Sequence, residues 1–91
     1  MDKFAKFVQD RHKAFADVLY NDSLKELRKY CKKYGIPMQK NNEIAKAGVY
    51  KAIQYCTDFT DEEKDMALVK CLELGFSPLI DWRERRANEK T

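Results

Sequence analysis

No stretch of this chain stays apolar for anything near the ~18 residues that a membrane-spanning helix needs. None alternates apolar and polar side chains as a half-buried strand does, none repeats, and none is of low complexity. A Gly-rich phosphate loop, a nucleophile elbow and a His-rich metal motif are missing as well. A chain of 91 residues also has little volume for a substrate pocket. The expectation is a non-enzyme with no catalytic residue, no cofactor and no small-molecule substrate. The acids of residues 58–65, DFTDEEKD, lack the alternation and the central glycine of a calcium loop, and they suit helix capping better.

The three cysteines are widely spaced and give no metal-ligand pair. Cys31, Cys56 and Cys71 cannot all pair within one chain, and there is no Cys-x-x-Cys. They read as reduced core thiols of a cytoplasmic protein. A zinc site with His12 as fourth ligand would need ligand pairs close in sequence, and there are none, so no metal is expected. His12 flanks an apolar stripe and reads as structural. The opening MDKFAKFVQD is charged throughout and lacks the apolar core of a signal peptide.

What is present is ordinary apolar content, 44%, with 36% charged residues, the balance of a soluble globular chain. The length suits one domain over 1–91 with a modest core. Net charge is +3, and it is unevenly spread. Residues 1–56 carry twelve Lys/Arg against six Asp/Glu, residues 57–80 two against six, and residues 81–91 four against three. The basic excess lies in the first three fifths of the chain.

Helical periodicity and helix punctuation organise the sequence into about five short helices with no sheet, an all-α bundle. Phe4, Phe7, Val8, Phe15, Val18 and Leu19 recur at helical spacing over residues 3–20, and Asn21-Asp22 ends that helix. Arg11 interrupts the stripe. Its stem packs while its guanidinium reaches solvent or a carboxylate, or else it anchors a partner's acid or phosphate. Ser23, three residues before Glu26, predicts a capping box for a second helix with Leu24, Leu27, Cys31 and Tyr34 inward. Gly35 closes it and Ile36-Pro37 prevents its continuation. Asn41 or Asn42 caps a third helix over 42–56, with Ile44, Ala45, Gly48, Val49, Ala52, Ile53 and Cys56 inward. The small residues Ala45, Gly48 and Ala52 would let another helix approach closely. Thr60 and Glu63 make a second capping box for a helix ending near Leu74 at Gly75. Apolar residues occupy most of its circumference, which predicts a central helix. Ser77-Pro78 starts a fifth, with Leu79, Ile80 and Trp82, and the tail 83–91 is expected to fray.

Lys25, Arg28, Lys29, Lys32 and Lys33 lie opposite the apolar side of the second helix. Residues 23–37, SLKELRKYCKKYGIP, resemble the first helix of a SAP-like helix–extended loop–helix module. Leu24, Leu27, Tyr30, Gly35 and Ile36 stand at matching places, and EIAKAGVYKAI, residues 43–53, corresponds to the second helix. The group's usual Gly-x-Lys-x-x-Leu stretch is replaced by Met38-Gln39-Lys40-Asn41-Asn42-Glu43-Ile44, without the glycine. The resemblance implies nucleic-acid binding through the start of the second helix and the basic residues around it.

Two partner classes follow. A nucleic acid, DNA first, would meet Lys25, Arg28, Lys29, Lys32, Lys33, Lys40 and Lys46, with Asn41 and Asn42 donating to phosphates or bases. A protein partner of a small phage- or bacterial-type regulator or adaptor would instead meet Arg11, Tyr50, Tyr55, Phe76 or Trp82. For Phe76 and Trp82 core packing is the simpler role.

Overall fold

The computed structural model describes residues 2–77. Four helices and no strand are present among them: α1 (Lys3–Asn21), α2 (Lys25–Tyr34), α3 (Asn42–Ile53) and α4 (Asp61–Glu73). The all-helical class holds. The fifth helix expected at Ser77-Pro78, with Trp82 and the tail 83–91, lies outside the described residues. The chain divides into two compact units, residues 1–46 and 47–91, with the boundary falling inside α3.

In the first unit, Asp2 starts α1 by accepting the Phe4 N–H at 3.0 Å. Four N–H groups at a helix start have no partner inside the helix, and a short carboxylate satisfies one of them. Asp22 ends α1 in the left-handed region at φ 53°. Ala14, Phe15, Val18 and Leu19 are buried, whereas Phe4 is 72% exposed, so the apolar stripe of α1 is a core face only in its second half. Arg11 is half-buried, with its Nε shut off from solvent.

α2 runs antiparallel to α1, since Asp10 meets Lys33 and Tyr34 while Asp17 meets the Glu26 N–H. Its start corrects the expected capping box. Ser23 Oγ accepts the Lys25 N–H at 3.2 Å, Leu24 holds the cap position, and the Glu26 N–H donates to Asp17 Oδ2 at 3.3 Å. The carboxylate of another helix does the capping, because the α1–α2 turn brings it there. Leu27, Tyr30 and Cys31 are buried. Gly35, at φ 65°, ends α2, and the Ile36 N–H reaches the Cys31 carbonyl at 2.8 Å. Only a residue without a Cβ adopts that conformation at no steric cost.

Asn41 caps α3, its Oδ1 accepting the Ile44 N–H at 3.0 Å. The helix is shorter than expected, ending at Ile53, and its inner face is turned from the expected one. Ala45, Ala47, Val49, Tyr50 and Ile53 are buried, while Ile44 and Gly48 are exposed. A Cβ added at Gly48 would meet nothing within 4 Å, so this glycine does not serve a close helix approach.

In the second unit, Gln54 is 2% exposed and its Nε2 donates to the carbonyls of Tyr50 at 3.2 Å and Lys64 at 3.0 Å. The capping box at α4 is present in both halves: Glu63 N–H to Thr60 Oγ1 at 3.1 Å, and Thr60 N–H to Glu63 Oε1 at 2.8 Å. Gly75 stops α4 at φ 87°, with its N–H on the Leu72 carbonyl and the Phe76 N–H on the Cys71 carbonyl. Burial on α4 corrects the expected central helix. Ala67, Leu68 and Cys71 are buried, but Val69 is 52% and Leu72 56% exposed. The three cysteines are free and buried.

Candidate nucleic-acid interface

The basic face is built on α2 by its period. At about 100° per residue, Lys25, Arg28, Lys29, Lys32 and Lys33 share an arc of roughly 140°. Leu27, Tyr30 and Cys31 take the opposite side, and burying them turns all five cations outward, where each is exposed. Sequence spacing and structure agree on this face.

The cations are not equivalent in what holds them. Lys33 Nζ hydrogen-bonds Asp10 Oδ2 at 2.8 Å and lies 5.4 Å from the Tyr34 ring centre. Tyr34 Oη donates to the same Asp10 oxygen at 2.6 Å, and Lys6 Nζ stands 3.3 Å from its other oxygen. The Lys33 hydrogen bond, then that of Tyr34, holds the Asp10 carboxyl far below the usual carboxylate range. The same bond raises Lys33, and contact with the carboxylate raises Tyr34. Around this hub the rings of Phe7, Tyr30 and Tyr34 pack with centres 4.9–5.7 Å apart. Lys33 therefore acts as a strut between α1 and α2.

Lys46 is also committed. Its Nζ lies 2.9 Å from Asp22 Oδ1, and only 20% of its side chain is exposed. Lys29 keeps a looser partner, Glu26, at 3.6 Å. Among the described residues, Arg28, Lys32 and Lys40 have no ion pair, and Lys25 only the field of the Asp17 carboxylate. So the available cations are Lys25, Arg28, Lys29 and Lys32 on the α2 face and Lys40 in the connector, fewer than the sequence suggests. Asn41 and Asn42 are exposed beside Lys40, but the Asn41 oxygen is spent on its cap. The first turn of α3 carries one acid, Glu43, at the end where backbone N–H groups point outward.

The protein-docking candidates separate. Tyr50 is 2% exposed, which removes it from any surface: the rotation of α3 that exposes Gly48 turns Tyr50 inward. Tyr55 is exposed, and Phe76 is half-buried with Lys51 Nζ 5.7 Å over its ring. Arg11 is half-buried on α1, and Trp82 lies outside the described residues.

Sequence reasoning missed Asp10, Asp17 and Lys13. Their partners on α2 are 9 to 24 residues away, and no local pattern announces such pairs. The one hint was the i,i+4 spacing of Lys6 and Asp10. Among the described residues no group of His, Cys, Asp and Glu could hold a metal ion, and no helix is long and apolar enough to cross a membrane. No protein-family model, no curated protein and no solved structure matches the chain.

Proposed function

We propose that this protein is a small non-catalytic binding module that takes nucleic acid, DNA first, on the exposed face of α2 and the adjoining start of α3. The observation that carries the reading is the set Lys25, Arg28 and Lys32 on one face of α2, with Lys40 in the connector that follows: all are exposed and free of hydrogen-bonded carboxylates. Phosphate attraction needs such uncommitted cations, because each that neutralises a phosphate releases a counterion. Two further features support it. Residues 1–46 carry eleven Lys/Arg against six Asp/Glu, a net +5. The succession of α2, a non-helical connector and α3 also suits the SAP-like resemblance of residues 23–53.

The test is a titration against duplex DNA, single-stranded DNA and RNA at ~50 and ~200 mM salt. Replacing Lys25, Arg28 and Lys32 together by Glu is expected to abolish binding while circular dichroism and the unfolding midpoint hold. These residues point away from Leu27, Tyr30 and Cys31, so their reversal spares the core. Absence of binding by the wild type at ~50 mM salt, where electrostatic affinity is strongest, would sink the reading.

A second reading, a regulator that binds another protein, is favoured by one observation. Val69 and Leu72 are exposed on α4, where solvated apolar side chains lower solubility unless covered. Replacing both by Asp would then abolish capture of a protein partner and leave DNA binding unchanged.

A further inference from the structure

Between α1 and α2 lies a cleft of about 110 Å³ lined by Asp10, Lys13, Glu26, Lys29, Tyr30 and Lys33. Three cations and two carboxylates line it, and the carboxylates differ in how far they are committed. Asp10 is saturated by Lys33, Tyr34 and Lys6. The Glu26 carboxylate is not saturated. Lys13 Nζ stands 3.7 Å and Lys29 Nζ 3.6 Å from it, both beyond hydrogen-bond length. Among the described residues the Lys13 and Lys29 ammonium groups make no hydrogen bond, and their side chains are 72% and 66% exposed. Two ammonium groups from two helices thus converge on one singly charged group at ion-pair distance, neither fixed to it by a hydrogen bond.

We propose that Lys13 and Lys29 form a seat for a phosphate group in this cleft, with Glu26 as its built-in competitor. A phosphate dianion between the two ammonium groups accepts a charge-assisted hydrogen bond from each, shorter and stronger than either present contact. Its double charge outbids the single charge of Glu26, whose side chain swings to solvent. The Glu26 backbone N–H stays on Asp17, so the start of α2 is undisturbed. The cleft has room for a tetrahedral oxyanion and not for a whole nucleotide, so the ligand is the phosphate itself, free as the dianion or in a nucleic-acid backbone, where the phosphodiester carries a single charge and competes with Glu26 through the counterions it releases. The second source rests on the nucleic-acid reading above. It extends the track from α2 onto α1, where Lys13 lies outside the basic run of residues 23–46.

The experiment titrates the full chain with inorganic phosphate at pH 8, against sodium chloride of equal ionic strength. It follows the side-chain CεH₂ resonances of Lys13 and Lys29 by NMR. Saturable shifts at both are expected. Lys13→Ala and Lys29→Ala each weaken binding about two- to fivefold, the range of an exposed ion pair, and Glu26→Gln tightens it by a similar factor. A tightening cannot arise from damaged folding. Shifts that do not saturate, or a Glu26→Gln variant that binds no better, overturn the seat. The second arm uses a 20-base-pair DNA duplex. If the backbone supplies the phosphate, Lys13→Ala lowers the salt slope by about 0.9. Saturable phosphate shifts without any DNA binding keep the seat and remove the nucleic-acid reading. DNA binding without phosphate shifts, unchanged in Lys13→Ala and Glu26→Gln, does the reverse.

Discussion

Thr60 and Glu63 satisfy two backbone donors between them at the start of α4, so Thr60→Ala is expected to cost about 1 kcal/mol, read as a lower chemical-denaturation midpoint. Ser23 has the same sequence relation to Glu26, but its hydroxyl accepts from Lys25 and the Glu26 N–H goes to Asp17. Ser23→Ala should therefore cost less than Asp17→Ala, although the sequence assigns the cap to Ser23. Gly48 stands mid-helix, exposed and with open space where a Cβ would be. Gly48→Ala should raise stability by up to about 1 kcal/mol, since the glycine penalty in a helix is relieved without a clash. Burial pushes the thiols of Cys31 and Cys71 up, away from the reactive thiolate. Native protein should react with a thiol reagent only slowly at pH 8 and quickly once unfolded. Fast labelling of either cysteine in native protein would contradict that burial.

At the scale of elements, the α1–α2 pair is held by a core and by the Asp10 hub, and the hub makes its stability depend on acid. The folded Asp10 carboxyl titrates well below its unfolded value of roughly 4. Its contribution is therefore complete above about pH 4 and is lost as pH falls through the folded value. The unfolding midpoints of wild type and Asp10→Asn should differ at neutral pH and converge below pH 4. Lys33 and Tyr34 are raised, so their contributions persist at neutral pH and fade only in strong alkali. Element ends were largely legible in the sequence, because Asp22, Gly35, Thr60 and Gly75 act locally through caps and left-handed turns. The basic arc of α2 was legible for a similar reason, as one period fixes it. Helix faces were not legible where apolar residues ring the helix. In α3 and α4 the choice between Gly48 and Tyr50, or between Val69 and Cys71, is made by tertiary packing. Which lysines remain free was equally hidden, since Asp10 and Asp22 select Lys33 and Lys46 across the fold.

Across the whole molecule, charge divides as the two units do. Residues 1–46 carry +5, while residues 47–91 carry seven Lys/Arg against nine Asp/Glu, a net −2. If the first unit takes a polyanion as proposed, its affinity should fall steeply with salt. Lys25→Glu, Arg28→Glu and Lys32→Glu should remove it, whereas Lys51→Glu and Lys70→Glu in the second unit should weaken it only slightly, by long-range repulsion. The second unit carries a different consequence, in the amide of Gln54, which is hydrogen-bonded to the carbonyls of both Tyr50 and Lys64. One side chain thus binds the last turn of α3 to the first turn of α4. Neither turn can loosen without stripping a buried amide of an acceptor, so the intervening residues 55–60 are fastened at both ends by the same group. In hydrogen–deuterium exchange the amides of these two turns should open with a single rate, and Gln54→Ala should split it into two.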